Sequence, residues 1–169
     1  MRTAFRFCVL VALVLSLAGC ASKFRRYDGP KVTHVTVHKG ARTMNLHHGD
    51  KVLRSYEVDL GFAPEGDKKE EGDGRTPEGS YYVNRRNPNS KFHLSLGINY
   101  PNEEDLAEAK AMGVNPGSDI FIHGRGPWSP WRAIRRRPDW TWGCIAVTNS
   151  EMEQVYAMVH DGTPVRIHQ

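Results

Sequence analysis

Residues 118–149 read SDIFIHGRGPWSPWRAIRRRPDWTWGCIAVTN, and this stretch decides how the rest of the chain is interpreted. Two short apolar runs bracket it, Ile120–Ile122 and Ile145–Val147; His123 ends the first, and Cys144 precedes the second. Between them lie the four tryptophans of the chain, Trp128, Trp131, Trp140 and Trp142. Apolar runs of this length are typical of buried strands. We therefore expect two neighbouring strands that bring one thiol and one imidazole together beneath an aromatic loop.

The first residues of the chain are typical of an export signal. Arg2 and Arg6 precede an apolar run, Phe7–Ala18. This run is shorter than the ~20 residues that span a bilayer. The sequence LAGC follows and resembles a bacterial lipobox, in which Cys20 would be lipidated and become the first mature residue. An ordinary cleaved signal with an incidental cysteine is the alternative. We expect residues 1–19 to be a lipoprotein signal peptide.

Cleavage at this point has consequences for location and charge. Residues 20–30 would be a lipidated tether to the membrane, and residues 31–169 a single domain. By resemblance to Gram-negative lipoproteins, Ala21 favours the outer membrane and a periplasmic domain. The signal holds 2 of the 23 basic residues and none of the 19 acidic ones, so the mature chain has a net charge of about +2. This is too small a bias for a nucleic-acid partner.

Cysteine usage points to a reactive thiol. The chain has three cysteines, of which Cys8 leaves with the signal and Cys20 would carry lipid. Cys144 would remain as the single thiol of an exported protein, where cysteines are normally paired. An inert buried cysteine is the alternative.

The remaining patterns predict a mainly β domain with two or three short helices. Alternation of β-branched and polar residues predicts strands, and His48-Gly49-Asp50 predicts a hairpin turn. The strand candidates are Val32–His38, Ala41–His47, Val52–Leu60, Ser80–Asn84, Phe92–Ile98, Asp119–His123, Ile145–Val147 and Pro164–His168. One helix is expected over Glu103–Met112 with Gly113 as its stop, and another begins at Ser150 with Glu153 completing a capping box. The histidines have no metal-ligand spacing, so we expect neither a metal nor a cofactor.

A cysteine attacks a carbonyl as the thiolate, and its free pKa of ~8.5 means that a base must assist. His123 is the candidate base because its strand is expected beside that of Cys144. No acid lies next to His123, so the backbone carbonyl of Gly124 is the candidate acceptor that orients it. Gly143 allows a tight turn, and its N–H, with those of Trp142 and Cys144, is a candidate for an oxyanion hole. A histidine and a cysteine that merely pack together remain the alternative.

The same residues resemble the L,D-transpeptidase (YkuD-type) catalytic domain. That family has a His, often followed by Gly, and then Ser/Thr-His-Gly-Cys; here the two parts are His123-Gly124 and Thr141-Trp142-Gly143-Cys144. Arg75–Tyr81 resembles the T-P-x-G-x-aromatic stretch of the family, so the likeness covers nearly all of the mature chain. The chain departs from the family pattern at Trp142, which replaces a histidine. Trp142 would reshape the pocket and leaves the second substrate open.

The resemblance implies a β-sandwich or barrel of mixed sheets that acts on peptidoglycan stem peptides. Cys144 would form a thioester by attack on the bond between meso-diaminopimelate and D-alanine. The acyl acceptor would be another stem peptide, a lipoprotein lysine, or water, in which case the enzyme is a carboxypeptidase or hydrolase. Arg75 and Arg125 are the nearest cations for substrate carboxylates, and Trp142 and His93 are further candidates for substrate contact. We expect a monomer. A non-catalytic lipoprotein that binds the cell wall is the alternative from another functional class.

Overall fold

The structure is a computed structural model that describes residues 22–127 and 138–169. The expected signal peptide, the lipidation site Cys20, and the tryptophans and arginines of 128–137 lie outside the described residues. The described part contains eight strands and two helices. These are β1 His34–His38, β2 Thr43–His48, β3 Lys51–Glu57, β4 Gly79–Asn87, β5 Ser95–Ile98, α1 Glu103–Met112, β6 Phe121–His123, β7 Ile145–Ala146, α2 Asn149–Met158 and β8 Pro164–His168.

The strands form one mixed sheet in the order β3-β2-β1-β8-β4-β5-β6-β7. The β1–β8 and β6–β7 pairs are parallel, and the other pairs are antiparallel. The expected alternation is present in β1, where Val35 and Val37 are fully buried while their neighbours are partly exposed. The predicted fold class, mainly β with mixed pairing and short helices, is confirmed.

The predicted ends of the two helices agree with the structure for α1 and differ from it for α2. Helix α1 has the predicted bounds: Asn102 caps its first turn, and Gly113, with a φ of 71°, ends it. The predicted start of α2 was wrong by two residues, since Thr148 rather than Ser150 is the N-cap, with Glu151 as its partner. Thr148 and Ser150 each lie three residues before a glutamate, so both fit the capping-box pattern. The helix begins at the earlier one, directly after Val147, whose N–H donates to the His123 carbonyl.

Most predicted strands differ from the observed ones by one to three residues at an end. Val52–Leu60 and Phe92–Ile98 are among those that are shorter, because their ends form other contacts. The third strand ends at Glu57, and beyond it Asp59 pairs with Ala146 and Gly61 with Thr141. Strand β5 begins at Ser95 rather than Phe92, because His93 has a φ of 81° and belongs to a turn. Both differences bring loop residues towards β6 and β7. Helix α2 contacts β5 and β6.

Candidate active site

Strands β6 and β7 place the predicted thiol and imidazole on one face of the sheet. Their parallel register pairs Ile122 with Ile145 and His123 with Ala146. Cys144 precedes β7 by one residue and therefore lies level with Phe121. Side chains alternate along a strand, so Phe121 and His123 point to the same side, and Cys144 lies beside them. The thiol and the imidazole are thus two strand positions apart on neighbouring strands.

The imidazole of His123 is held by a hydrogen bond and by aromatic packing. The residue is only 3% exposed, and its Nδ1 lies 2.7 Å from the carbonyl oxygen of Gly124. A carbonyl accepts but does not donate, so Nδ1 carries the proton and the lone pair of the neutral ring is on Nε2. The ring stacks on Phe92 with centroids 4.4 Å apart and meets the edge of Trp140 at 5.8 Å. This arrangement presents a basic nitrogen in one orientation.

The loop after His123 is fixed by Asn149, at the start of α2. The Asn149 side-chain nitrogen donates to the Gly126 carbonyl at 2.8 Å, and its oxygen accepts from the Gly126 N–H at 3.0 Å. A β-carbon placed at Gly124 would lie 2.7 Å from the Asn149 Oδ1 and from the Phe92 carbonyl oxygen. Glycine is therefore required at this position for close packing. Asn149 follows the cysteine strand at the predicted helix start, but its contact with Gly126 arises only from the fold.

The thiol of Cys144 is neutral in its resting environment. Its Sγ donates to the Asp119 carbonyl oxygen over 3.6 Å. Burial of the sulfur raises the pKa of Cys144, and the Asp119 carboxylate adds to this, while a backbone hydrogen bond from Phe121 and the charge of Lys68 lower it. Because the net direction is upward, a base must remove the thiol proton when the sulfur reacts.

The turn from Thr141 to Cys144 is closed by the threonine hydroxyl, which donates to the Cys144 carbonyl at 2.7 Å and accepts from the Gly143 N–H at 3.1 Å. Gly143 has a φ of 116°, and a β-carbon there would lie 2.5 Å from the Arg75 carbonyl oxygen. In this conformation the Gly143 N–H is directed at Thr141, which differs from its expected place in an oxyanion hole. The N–H groups of Trp142 and Cys144 remain as candidates.

The other predicted contact residues lie at different places around the thiol and imidazole. The backbone of Arg75 lies against Gly143 as described, and its Nη1 donates to the Asp67 carbonyl at 3.2 Å. The guanidinium of Arg125 forms an ion pair with Asp59 at 2.9 Å. Trp142 is 71% exposed and meets Phe62 edge-on with centroids 5.0 Å apart.

His93 is oriented differently from the expectation of substrate contact. Its β-carbon is 3.3 Å from the position that a β-carbon at Gly124 would take, but its Nε2 lies 2.9 Å from the Glu153 carboxylate on α2. Phe92, which is adjacent to His93 in the FHL segment, contacts the imidazole of His123. No pattern in the sequence singles it out.

Within residues 22–127 and 138–169, no cluster of three or more His, Cys, Asp or Glu side chains is arranged to hold a metal ion. In the same ranges, no helix has the length and apolar character that crossing a membrane requires.

The mixed sheet, with a thiol and an imidazole on adjacent parallel strands, defines a protein of the L,D-transpeptidase fold class. The family model described as YkuD, L,D-transpeptidase catalytic domain, matches residues 32–167. The chain belongs to this family, and the resemblance seen in its sequence is confirmed. The matched region corresponds to the catalytic domain of that family.

Individual relatives agree with this assignment. YafK of Escherichia coli (strain K12), named as a candidate L,D-transpeptidase, is 27% identical over 132 residues, which cover 75% of this chain and 46% of YafK. The helical cell shape determining protein Pgp2 from Campylobacter jejuni superposes with a TM-score of 0.61 at 28% identity, covering 90% of this chain and 53% of Pgp2. Bd1075 from Bdellovibrio bacteriovorus shares the fold, with a TM-score of 0.58, 24% identity, and coverage of 85% and 50%. The chain spans about half the length of these relatives.

Proposed function

We propose that the protein is a cysteine acyltransferase that acts on peptidoglycan stem peptides, with Cys144 as nucleophile and His123 as general base. The observation that carries the proposal is the hydrogen bond from His123 Nδ1 to the Gly124 carbonyl. It assigns the proton to Nδ1 and the lone pair to Nε2 in a buried imidazole on the face of the sheet that holds the thiol. A neutral imidazole in this tautomer can accept a proton through Nε2.

The first half of the reaction is the formation of a thioester. The Cys144 sulfur attacks the carbonyl carbon of the meso-diaminopimelate–D-alanine bond while its proton passes to His123. The N–H groups of Cys144 and Trp142 are the candidate donors to the oxyanion that forms. The imidazolium then returns the proton to the leaving amine, D-alanine departs, and the stem tripeptide stays on the sulfur.

The second half depends on the acceptor. An amine gives up a proton to His123 and attacks the thioester, and the sulfur leaves and recovers a proton. Diaminopimelate of another stem would give a cross-link, and a lysine of a lipoprotein would give an anchored protein. Water would make the enzyme an L,D-carboxypeptidase, or a hydrolase of a peptidoglycan–lipoprotein link. Trp142, which is exposed and precedes the nucleophile by two residues, is a candidate for contact with the acceptor.

Cations near the site would recognise the carboxylates of the stem peptides. Arg75 lies against the turn that carries Cys144, and Arg125 follows the base by two residues. The Arg125 charge is already shared with Asp59, so a substrate carboxylate there would add to an existing ion pair. Arg75 is therefore the stronger candidate for direct recognition.

We also retain the location expected from the sequence. Cys20 would carry lipid and hold the domain in the periplasm, at the outer membrane. Mass analysis of the mature N-terminal peptide tests this directly, because lipidation requires acyl chains on Cys20. An unacylated N-terminus beyond residue 20 would contradict it.

Release of D-alanine from a disaccharide tetrapeptide is the test of the reaction. The wild type should release D-alanine, whereas Cys144→Ser and His123→Ala should lose at least about 100-fold in kcat. Equal release by the wild type and Cys144→Ser would contradict the proposal. Muropeptide mass profiles of cells with and without the gene would then separate cross-linking, anchoring and cleavage.

A wall-binding protein without catalysis is the second candidate, favoured by the exposed aromatic pair Phe62 and Trp142. Such a pair offers a flat surface for a sugar. This function predicts that Cys144→Ser leaves peptidoglycan binding and cell-wall phenotypes unchanged while Trp142→Ala weakens binding.

A further inference from the structure

The N-terminal segment 22–30, expected to be a plain tether, is attached to the domain close to the site. We propose that Lys23 and Arg25 are positioning residues: they hold the turn 88–93, and this turn holds the imidazole of His123 for catalysis. The inference rests on the proposed function, since it assigns part of the catalytic apparatus to the segment that precedes the domain. It identifies residues that a comparison of the 32–167 family region would not include.

Two side chains of the segment bind two different elements of the domain. The Lys23 ammonium donates to the Pro88 carbonyl at 2.5 Å and to the His93 carbonyl at 3.2 Å. The Arg25 guanidinium donates to Glu153 at 2.9 Å and to the Ser150 hydroxyl at 2.9 Å. Lys23 thus contacts both ends of the turn, while Arg25 binds the first turns of α2. Together they join the turn to the helix.

The turn needs these contacts because its backbone is strained. His93 has a φ of 81°, a region that residues other than glycine seldom occupy. Its N–H donates to Ser90 at 3.1 Å, its carbonyl accepts from Lys23, and its ring meets Glu153 at 2.9 Å. The same carboxylate accepts from Arg25 through its other oxygen. Glu153 is therefore the shared partner through which Arg25 and His93 are connected.

The strained turn contacts both the ring of His123 and Gly124, whose carbonyl accepts the Nδ1 proton of that ring. Phe92 precedes His93 and stacks on the His123 ring at 4.4 Å with 25° between the planes. The Phe92 carbonyl also lies against Gly124, whose own carbonyl accepts the Nδ1 proton of His123. A shift of the turn would therefore move the ring plane and loosen the hydrogen bond that sets the tautomer. Small displacements of a catalytic group lower kcat strongly.

Arg26 provides a matched control on the same segment. Its side chain is 87% exposed, and among the described residues it forms an ion pair with Asp28 alone, at 3.1 Å. Exposed ion pairs stabilise folds little, so neither Arg25→Ala nor Arg26→Ala should unfold the domain. The two variants differ in whether the link to Glu153 is lost.

The experiment compares Arg25→Ala, Arg25→Lys and Arg26→Ala in the full-length protein. We expect Arg25→Ala to lower kcat for D-alanine release by about 3- to 10-fold with little change in KM. Arg25→Lys should recover part of the loss, and Arg26→Ala should match the wild type. Nitrogen NMR of the His123 ring gives a second readout: a single Nδ1–H tautomer in the wild type should become a mixture in Arg25→Ala.

The outcomes separate this inference from the proposed function. If the wild type releases no D-alanine, the proposed function fails, and the tautomer measurement still decides whether the segment positions His123. If Arg25→Ala keeps the wild-type kcat and tautomer, the positioning role is wrong. It is equally wrong if Arg25→Ala and Arg26→Ala lose activity to the same extent. Should Arg25→Ala fold poorly, Glu153→Gln takes its place, because it weakens the same link while keeping its shape.

Discussion

His123 and Cys144 lie two strand positions apart on one face of the sheet, but their surroundings differ. The imidazole is almost fully buried, stacked on Phe92, in edge contact with Trp140, and hydrogen-bonded to Gly124. The thiol donates over a long distance, 3.6 Å, to the Asp119 carbonyl, and Trp142, which precedes the turn glycine Gly143, is largely exposed. In the proposed reaction, the base is therefore fixed before substrate arrives, whereas the nucleophile is only partly buried and follows an exposed tryptophan by two residues.

This difference assigns separate tasks to the two sides. A buried ring with one tautomer can take a proton without first reorganising, which favours catalysis. The thiol side, with its glycine turn and exposed aromatic pair, is where substrates would approach the sulfur. Changes on the imidazole side should therefore act on kcat, and changes among the exposed residues of the thiol side should act mainly on KM.

The largest effect is expected at Gly143, where neither the backbone conformation nor the available space allows a side chain. Gly143→Ala would combine a positive φ with a β-carbon 2.5 Å from the Arg75 carbonyl oxygen. We expect a loss of about 2–4 kcal/mol in the free energy of unfolding and at least about 100-fold in kcat. Gly162→Ala is the control, because Gly162 has a φ of 80° and nothing within 4 Å of the added carbon. Equal destabilisation of both variants in chemical denaturation would show that the contact with Arg75 is unimportant.

The next effect lies on the imidazole side. Gly124→Ala would press on the Phe92 carbonyl and on Asn149, both 2.7 Å from the added carbon. We expect kcat to fall about 30-fold with an unchanged KM, because the base loses its position. Gly40→Ala, where the nearest atom is 3.7 Å away, should be neutral. A change in KM alone would assign this side to binding and would reverse the comparison.

A smaller effect is expected at the exposed edge of the thiol side. Trp142→Ala should change the free energy of unfolding by less than about 0.5 kcal/mol, since the side chain is largely in solvent. KM for the stem peptide should rise about 5-fold if the indole contacts substrate. Tyr82→Ala removes another exposed aromatic side chain, on β4, and should leave KM unchanged. A Trp142→Ala enzyme with normal KM would remove this residue from the binding surface.

The smallest effect concerns the charge next to the thiol. The Asp119 carboxylate contributes to the raised pKa of Cys144, after burial as the main cause. Asp119→Asn should lower that pKa, so more thiolate is present at a given pH and alkylation by iodoacetamide at pH 7.5 should accelerate about 2- to 3-fold. Asparagine suits the φ of 60° at this position. The exposed carboxylate of the turn residue Asp161 serves as the control through Asp161→Asn; a slower reaction in Asp119→Asn would give the sign opposite to our expectation.

The sequence was sufficient to find the residues at the centre of the site but not those that support them. The apolar runs around His123 and Cys144 predicted two adjacent strands because such runs must be buried. The pairing of β1 with β8 joins residues more than 120 positions apart, and local patterns carry no such information. The contacts of Phe92 and Asn149 with the base likewise arise only when separate segments meet. The polar pattern around Lys23 and Arg25 predicts a tether, because polar side chains near a chain start are usually solvated.

The central claim is that Cys144 carries the stem peptide as a thioester while His123 manages the proton. Intact-protein mass spectrometry after a short incubation with disaccharide tetrapeptide tests it most directly. We expect a mass increase equal to the donor less D-alanine, mapped to Cys144, absent in Cys144→Ala and formed much more slowly in His123→Ala. D-alanine release by the wild type without any adduct on Cys144, or the same adduct in Cys144→Ala, would contradict the mechanism.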